Sequence, residues 1–178
     1  GLSHNNIYGL FQEENGEIWV NTYAALNRIS LNRNGLPESW QYYDSGDGLP
    51  HRFTYDFLQV NDTLYWVATY GQLSTMTIDP DNRDQVSFKN YDMDLKRNDA
   101  LANATTYSLC RDRFGQLWIG TFGGLSKLVS AEGEGIFENY IYDTQIIDGI
   151  GGTQVDILFC DSKGRMWAGT EGGLSYFD

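Results

Sequence analysis

Short apolar runs separated by turn residues recur along the whole chain, and two of the longer stretches are closely similar. The segment "GQLWIGTFGGLSKL" at 115–128 returns as "GRMWAGTEGGLSYF" at 164–177. Within it, "LWIGT" is apolar on consecutive residues, which is typical of a strand covered on both faces. Glycine, asparagine and aspartate between the runs favour tight hairpins. The pattern therefore predicts β-strands throughout and indicates an internal repeat.

Four tryptophans mark the same point of this repeat. Each is followed by threonine three residues later and by leucine seven residues later, and neighbouring copies are about fifty residues apart, a spacing found in propeller blades. The four are Trp19, Trp66, Trp118 and Trp167. We expect these side chains to anchor the blades by packing between them, because an indole buries about 150–250 Å².

Each copy divides into strands in the same order. A first strand such as "FTYDFLQV" leads through a polar turn into the tryptophan strand, and a second turn leads into a third strand. A fourth strand carries a pair of aromatic residues in three copies: Trp40 and Tyr43, Phe88 and Tyr91, and Phe137 and Tyr140. Four antiparallel strands per copy predict β-propeller blades, because such a sheet buries both faces only when it stacks against neighbouring sheets.

The repeat predicts three complete blades and a fourth blade without its outer strand. The approximate boundaries are 1–46, 47–98, 99–147 and 148–178. Two interpretations remain open: the chain is a fragment of a larger propeller, or two copies meet in an eight-blade dimer. Since open blade faces are apolar, we expect a homodimer or a larger assembly in solution.

The net charge and the lengths of the apolar runs limit the classes of partner. The net charge of −12 argues against nucleic acid, whose phosphates need Lys and Arg, and against anionic membrane surfaces. No apolar run is long enough for this segment to insert directly into a bilayer.

The two cysteines occupy repeat positions that differ by one residue. Cys110 lies two residues before Asp112, and Cys160 one residue before Asp161, so the two thiols face opposite sides of their sheets. We therefore expect free buried thiols and no disulfide.

Candidate binding residues fall on the loops that meet at one face of a propeller. The loops between blades carry His4, Asn5, His51, Arg52, Asn103 and Thr105, and the turns between second and third strands carry Tyr23, Tyr70, Phe122 and Glu171. Aromatic residues at one repeat position suit stacking on sugar rings and predict an oligosaccharide ligand. The alternative is that they only shape the turns or pack on a neighbouring blade.

The residue pattern predicts no metal and no cofactor. The two histidines share a repeat position, but the other copies have Asn103 and Gly152 there, so a ring of metal ligands is absent and polar loop roles are favoured. The segments 44–48 ("DSGDG") and 79–84 ("DPDNRD") lack the full ligand set of a calcium loop and are expected to be turns. No catalytic signature stands out in the chain.

"DRFGQLWIGTFGGLSKL" and "DSKGRMWAGTEGGLSYFD" resemble the two-component regulator propeller repeat, and "GDGLPHRF" and "GLSHNNI" resemble its inter-blade segment. The resemblance covers the whole chain. Proteins of this family are typically sensor histidine kinases, often hybrids, whose periplasmic region resembles one or two seven-bladed propellers. Many are thought to regulate carbohydrate utilisation. The resemblance therefore implies a fragment of a seven-bladed propeller in a periplasmic sensor region, joined to the rest of the sensor protein.

The leading hypothesis is an extracytoplasmic, non-catalytic sensor segment of a two-component regulator that binds carbohydrate. A scaffold for protein contact or dimerisation is the first alternative, and a propeller lyase or glycosidase is the second. The enzyme alternative requires convergent His or carboxylate groups near the propeller axis. Only Glu171, His4 and His51 are expected near that face.

Overall fold

The computed structural model describes residues 1–145 and 149–177, which form strands β1 to β15 and no helix. The strands make four antiparallel sheets, three of four strands and one of three. Each sheet is built from one copy of the repeat, so the expected all-β propeller fold is confirmed. The chain divides into two compact units, Gly1–Tyr70 with Ser74–Asn90 and Gly71–Leu73 with Tyr91–Asp178. The boundary expected at 147/148 lies outside the described residues, as does Asp178.

Blades 1 and 2 make up most of the first unit, and the strands of each pair in chain order. Blade 1 contains β1 (Ile7–Gln12), β2 (Ile18–Thr22), β3 (Leu26–Leu31) and β4 (Pro37–Tyr43). Blade 2 contains β5 (Thr54–Gln59), β6 (Leu64–Thr69), β7 (Leu73–Ile78) and β8 (Val86–Tyr91). The fourth strand of each blade ends at the second residue of the aromatic pair seen in the sequence.

Blades 3 and 4 belong to the second unit. Blade 3 contains β9 (Thr106–Arg111), β10 (Leu117–Thr121), β11 (Gly124–Ser130) and β12 (Ile136–Tyr140). Blade 4 contains β13 (Val155–Cys160), β14 (Met166–Thr170) and β15 (Gly173–Phe177). No helix in the described part of the chain is long and apolar enough to cross a bilayer.

Trp19 lies at the centre of the core that joins blades 1 and 2. Its side chain is fully buried, and its ring centroid lies 4.8 Å from that of Phe57 on β5 and 5.9 Å from that of Tyr65 on β6. Leu26 and Met76 belong to the same core. The indole of one blade therefore packs on the next blade. Trp19→Ala would lower the free energy of unfolding by about 3–5 kcal/mol.

In blades 1, 3 and 4 an acidic side chain accepts a hydrogen bond from the indole N–H of the repeat tryptophan. The acceptor lies six residues before the tryptophan. The pairs are Trp19 with Glu13 at 2.6 Å, Trp118 with Asp112 at 2.9 Å and Trp167 with Asp161 at 3.0 Å. This hydrogen bond ties the first hairpin of a blade to its tryptophan strand and satisfies the one polar atom of the indole.

Blades 3 and 4 pack through a second core that contains a disulfide. Trp118 lies at a ring-centroid distance of 6.2 Å from Phe177 and shares the core with Val155. Cys110 and Cys160 are joined, with their Cα atoms 6.3 Å apart, a distance within the usual range for disulfides. The cross-link therefore connects the first strands of two neighbouring blades.

The expectation of free thiols is wrong, although the two cysteines do face opposite sides of their own sheets, as expected. Cys110 is the cross-strand partner of Trp118, whereas Cys160 is paired with Met166, the residue before Trp167. The two thiols therefore point to opposite faces of their own sheets. Because the two blades stack face to face, one face of blade 3 packs against the opposite face of blade 4. This packing brings the two sulfur atoms together.

Candidate functional site

A side chain in the loop before each of the first three blade sheets caps a backbone N–H two residues later. The acceptors are His4 Nδ1 for Asn6 at 3.0 Å, His51 Nδ1 for Phe53 at 3.0 Å and Asn103 Oδ1 for Thr105 at 2.9 Å. The three acceptors occupy one repeat position. The hydrogen bond gives the two histidines a structural role and leaves the ring proton of each on Nε2.

Blade 4 makes the same backbone hydrogen bond with a residue from the other loop. Gly152 stands at the capping position and has no side chain, and the Glu171 carboxylate accepts the N–H groups of Thr153 and Gln154, both at 2.8 Å. Desolvation raises the pKa of Glu171, but the hydrogen bonds from its own N–H, Thr153 and Gln154 outweigh it and lower the pKa below its usual value. Glu171 therefore acts as a loop cap.

The aromatic residues four positions after each tryptophan are held against the same loops. Their backbone N–H groups bind the carbonyl oxygens of the capped residues: Tyr23 to Asn6 at 3.2 Å, Tyr70 to Phe53 at 3.1 Å and Phe122 to Thr105 at 3.0 Å. This contact fixes the backbone beneath each ring. The rings themselves stay about half exposed, with 42% for Tyr23 and 52% for both Tyr70 and Phe122.

Seven rings of the first unit form a continuous group, which we call the aromatic cluster. Phe53 is its centre, with ring centroids 4.5 Å from Tyr23, 4.5 Å from Tyr55 and 4.8 Å from Tyr8. Tyr70 lies 6.0 Å from Phe53 and nearly parallel to it, at 9°. His4 and His51 complete the cluster at its edges, each 5.3 Å from a tyrosine ring.

A cavity of about 320 Å³ opens at the aromatic cluster, within the usual size range of small-molecule sites. Its lining residues are Tyr23, His51, Arg52, Phe53 and Tyr70. Four of these were candidates from the sequence. The cavity combines flat apolar rings with an imidazole and a guanidinium, so it can stack against a ligand ring and donate hydrogen bonds to the substituents of that ring.

Of the other candidates, His4 and Asn5 lie in the first unit, and the rest lie in the second unit. Asn103 and Glu171 are loop caps, and the Phe122 ring is exposed. The segments with an acidic appearance also form turns: Asp44 Oδ1 accepts the N–H of Gly46 at 2.7 Å, and Asp79 Oδ1 that of Asp81 at 2.8 Å. Among the described residues, no group of His, Cys, Asp and Glu has the arrangement of a metal site.

Sequence reasoning missed Phe53, Tyr8 and Tyr55, which contribute most of the ring contacts of the aromatic cluster. Phe53 stands thirteen residues before Trp66, where the other blades have a polar residue, so the repeat gave no signal for it. The alternation of Phe53, Tyr55 and Phe57, which begins at the residue before β5 and continues into the strand, is the sequence feature that could have indicated it.

A buried ionic cluster lies on the first hairpin of blade 1. Glu13 is 5% exposed, and its carboxylate accepts hydrogen bonds from Trp19 at 2.6 Å, Tyr65 at 2.8 Å and Arg83 at 2.7 Å. Burial raises the pKa of Tyr65 to about 12, and the Glu13 carboxylate adds to this effect. Arg83 comes from the loop between β7 and β8 of blade 2, so this cluster clamps the two blades together.

Glu17 and Arg28 extend the ionic cluster across blade 1. The Arg28 guanidinium is 5% exposed and lies 2.5 Å from Glu17, which Arg83 also contacts at 2.9 Å. Desolvation raises the pKa of Glu17, but hydrogen bonds and charge from both arginines lower it below its usual value. The charges compensate one another, so the cluster is a structural clamp.

Three solved structures show where similar folds occur. The extracellular domain of BT4673 from B. thetaiotaomicron, described as a hybrid two component system, matches with a TM-score of 0.73 at 23% identity over 99% of this chain and 22% of that chain. The extracellular domain of BT3049, described in the same way and from the same organism, matches with a TM-score of 0.69 at 18% identity over 99% of this chain and 22% of that chain. PorZ, a surface component of the type-IX secretion system of Porphyromonas gingivalis, matches with a TM-score of 0.69 at 13% identity over 100% of this chain and 26% of that chain.

These likenesses establish the propeller fold, and the chain spans about a quarter or less of the length of each neighbour. A comparison with curated proteins gave no significant match. The family model described as two component regulator propeller matches residues 1–24 and 100–123. Both segments begin eighteen residues before a repeat tryptophan, which agrees with the repeat register. These two segments, in blades 1 and 3, therefore match the repeat that the model describes.

Proposed function

We propose that this chain is an extracytoplasmic ligand-binding segment of a two-component sensor, that it binds carbohydrate at the aromatic cluster, and that it performs no catalysis itself. The observation that carries the proposal is the cavity lined by Tyr23, Phe53 and Tyr70, whose rings are fixed from below by backbone hydrogen bonds and stay accessible from above. Rigid aromatic faces provide contact area at low entropic cost. The sensor setting of two fold neighbours supports the signalling role.

The disulfide supports a location outside the cytoplasm. Cys110 and Cys160 are both consumed in the cross-link, and structural disulfides persist in oxidising compartments such as the bacterial periplasm. The fold neighbours that are extracellular domains agree with this location. We infer a periplasmic site for the segment on these grounds.

The chemistry of the cavity favours binding over turnover. Acid–base cleavage of a saccharide needs paired carboxylates or an available base, and none of the cavity-lining residues is Asp or Glu. The lining imidazole, His51, uses Nδ1 to hold the N–H of Phe53. The lyase and glycosidase alternative therefore has little support at this cavity.

Isothermal titration with linear oligosaccharides tests the proposal, with thermal unfolding as the second readout, since ligands of the native state raise the melting temperature. Tyr23→Ala and Tyr70→Ala each remove an exposed ring, and we expect affinity to fall about tenfold, or roughly 1.4 kcal/mol. Tyr142→Ala is the matched control, because Tyr142 is similarly exposed and lies in the other unit. Absence of binding at millimolar sugar, or equal affinity in all four proteins, would refute the proposal.

A second candidate function is assembly through the outward face of blade 4. Leu174 is 69% exposed, whereas Leu26, Leu73 and Leu125 at the same repeat position are fully buried. Ile157, Phe159 and Tyr176 on that face are also exposed. We propose that the occupant of this face is another propeller blade, which in the isolated chain comes from a second copy. The test is the oligomeric state.

A further inference from the structure

The cavity at the aromatic cluster differs in charge from the rest of this acidic chain. The chain carries a net charge of −12, yet the only formal charge among the lining residues is the guanidinium of Arg52. Arg52 is exposed, and within residues 1–145 and 149–177 no carboxylate pairs with it. A cation is thus available at the edge of a cavity lined by aromatic rings.

The carboxylates of the loop that carries Arg52 are engaged with their own backbone. Asp44 Oδ1 accepts the N–H of Gly46 at 2.7 Å, and Asp47 Oδ2 accepts that of Asp44 at 2.9 Å. These hydrogen bonds hold the turn that precedes the cavity. They orient the acidic groups of the loop toward the turn and leave the Arg52 guanidinium for another partner.

The polar groups of the cavity are mainly donors. His51 accepts the N–H of Phe53 through Nδ1, so its free ring nitrogen, Nε2, carries a proton and donates. Arg52 offers only donors, arranged in a fork that matches a carboxylate or sulfate. A complementary ligand presents acceptors, and its best acceptor is an anionic group.

We propose that the preferred ligand of this cavity is an acidic saccharide, with a uronic acid ring against the tyrosine faces and its carboxylate on the Arg52 guanidinium. This inference rests on the proposed carbohydrate-binding function and specifies its ligand class. The Nε2–H of His51 is the second donor to the bound sugar. Hydrogen bonds between charged partners are about twice as strong as neutral ones, so the pair with Arg52 sets the preference over a neutral sugar.

The overall negative charge of the chain does not exclude an anionic ligand. At physiological ionic strength the Debye length is about 8 Å, so exposed charges beyond that distance are largely screened. The Arg52 contact is made at hydrogen-bond distance and is screened far less. Acidic groups that lie farther than this from Arg52 therefore weaken the contact little.

The experiment compares trigalacturonic acid with the neutral α-1,4-linked galactotriose of the same length by isothermal titration at near-physiological salt. We expect the acidic trisaccharide to bind at least about tenfold tighter, the effect of one charge-assisted hydrogen-bonded pair. Arg52→Gln should abolish this preference by weakening binding of the acidic trisaccharide far more than binding of the neutral one, and Arg52→Lys should retain part of the preference. Arg33→Gln removes an exposed charge of the same unit from the turn between β3 and β4 and should change nothing.

The outcomes separate this inference from the proposed function. Equal or tighter binding of the neutral sugar, or an acid preference that survives Arg52→Gln, overturns the acidic-saccharide inference and leaves carbohydrate binding in place. If neither trisaccharide binds, both the inference and the proposed function fail. An acid preference that Arg52→Gln removes, with normal behaviour of Arg33→Gln, supports both.

Discussion

The carboxylate of Glu171 accepts the backbone N–H of Gln154 at 2.8 Å, and in this way it replaces the side chain that Gly152 lacks. In the other blades an imidazole or an amide from the preceding loop makes the equivalent hydrogen bond. The loop before each blade sheet is thus capped in all four blades, and the cap is supplied from two different directions.

Glu171→Ala should lower the melting temperature at neutral pH, because two backbone N–H groups lose their acceptor. The pKa of Glu171 is lowered from 4.5 in the folded chain, so its contribution is present above that pH and is lost as the pH falls through the lower folded value. The difference in melting temperature between wild type and variant should therefore shrink as the pH is lowered below 4.5, as followed by circular dichroism. Glu132→Ala, an exposed acid of the same unit, should show no such difference; a gap independent of pH would contradict the assignment.

Glu13→Ala should destabilise the first unit by about 3 kcal/mol, because Arg83 and the indole N–H of Trp19 lose a buried acceptor. Chemical denaturation followed by tryptophan fluorescence measures this free energy of unfolding. Glu14→Ala is the matched control, since Glu14 is the next residue in the chain and its side chain is exposed. Equal effects of the two variants would show that the ionic cluster does not clamp the blades.

Reduction of the Cys110–Cys160 disulfide should destabilise the second unit. The cross-linked residues are 50 positions apart, and the chain-entropy model gives about 4 kcal/mol for such a loop. Thermal unfolding with and without a reductant measures the effect. The double variant Cys110→Ser with Cys160→Ser should unfold at the lower temperature under both conditions. A wild type that is indifferent to reductant would rule out a stabilising cross-link.

The isolated chain should self-associate at micromolar concentration through the outward face of blade 4. Phe159→Lys places a charge in the middle of this face and should weaken the association at least about tenfold, because burying an unpaired charge is costly. Light scattering gives the mass. Phe114→Lys is the control, since Phe114 is 78% exposed on a turn of blade 3. A monomeric wild type, or equal masses for the two variants, would exclude this face.

The repeat made the blades predictable, because strand order, turn and tryptophan recur together in four copies. Trp19 and Trp118 lie between blades as the pattern indicates, while Trp167 lies on the outward face of the last blade and stays partly exposed. A property shared by all copies can be predicted from a single sequence, because the four copies can be compared with one another. The burial of the tryptophan in each copy depends on the neighbouring blade, so it cannot be predicted from the repeat alone.

The aromatic cluster was only partly predictable for the same reason. Comparing copies selects the residues that recur, such as Tyr23 and Tyr70, whereas Phe53 replaces a polar residue of the other copies. The site is built where one copy departs from the repeat. The disulfide shows a related limit, because the faces of Cys110 and Cys160 were read correctly within each sheet, but the pairing of faces belongs to the packing of two sheets.

The loop caps make the same backbone hydrogen bond with chemically different side chains, so the hydrogen bond that the fold requires does not determine the chemistry of the surface. Only an acceptor atom is needed, and imidazole, amide and carboxylate all provide one. Each blade can therefore change the chemistry it presents to solvent, as His51 and Asn103 do, without disturbing the hairpin beneath. A single repeat architecture of this kind can be retuned to a new ligand one loop at a time.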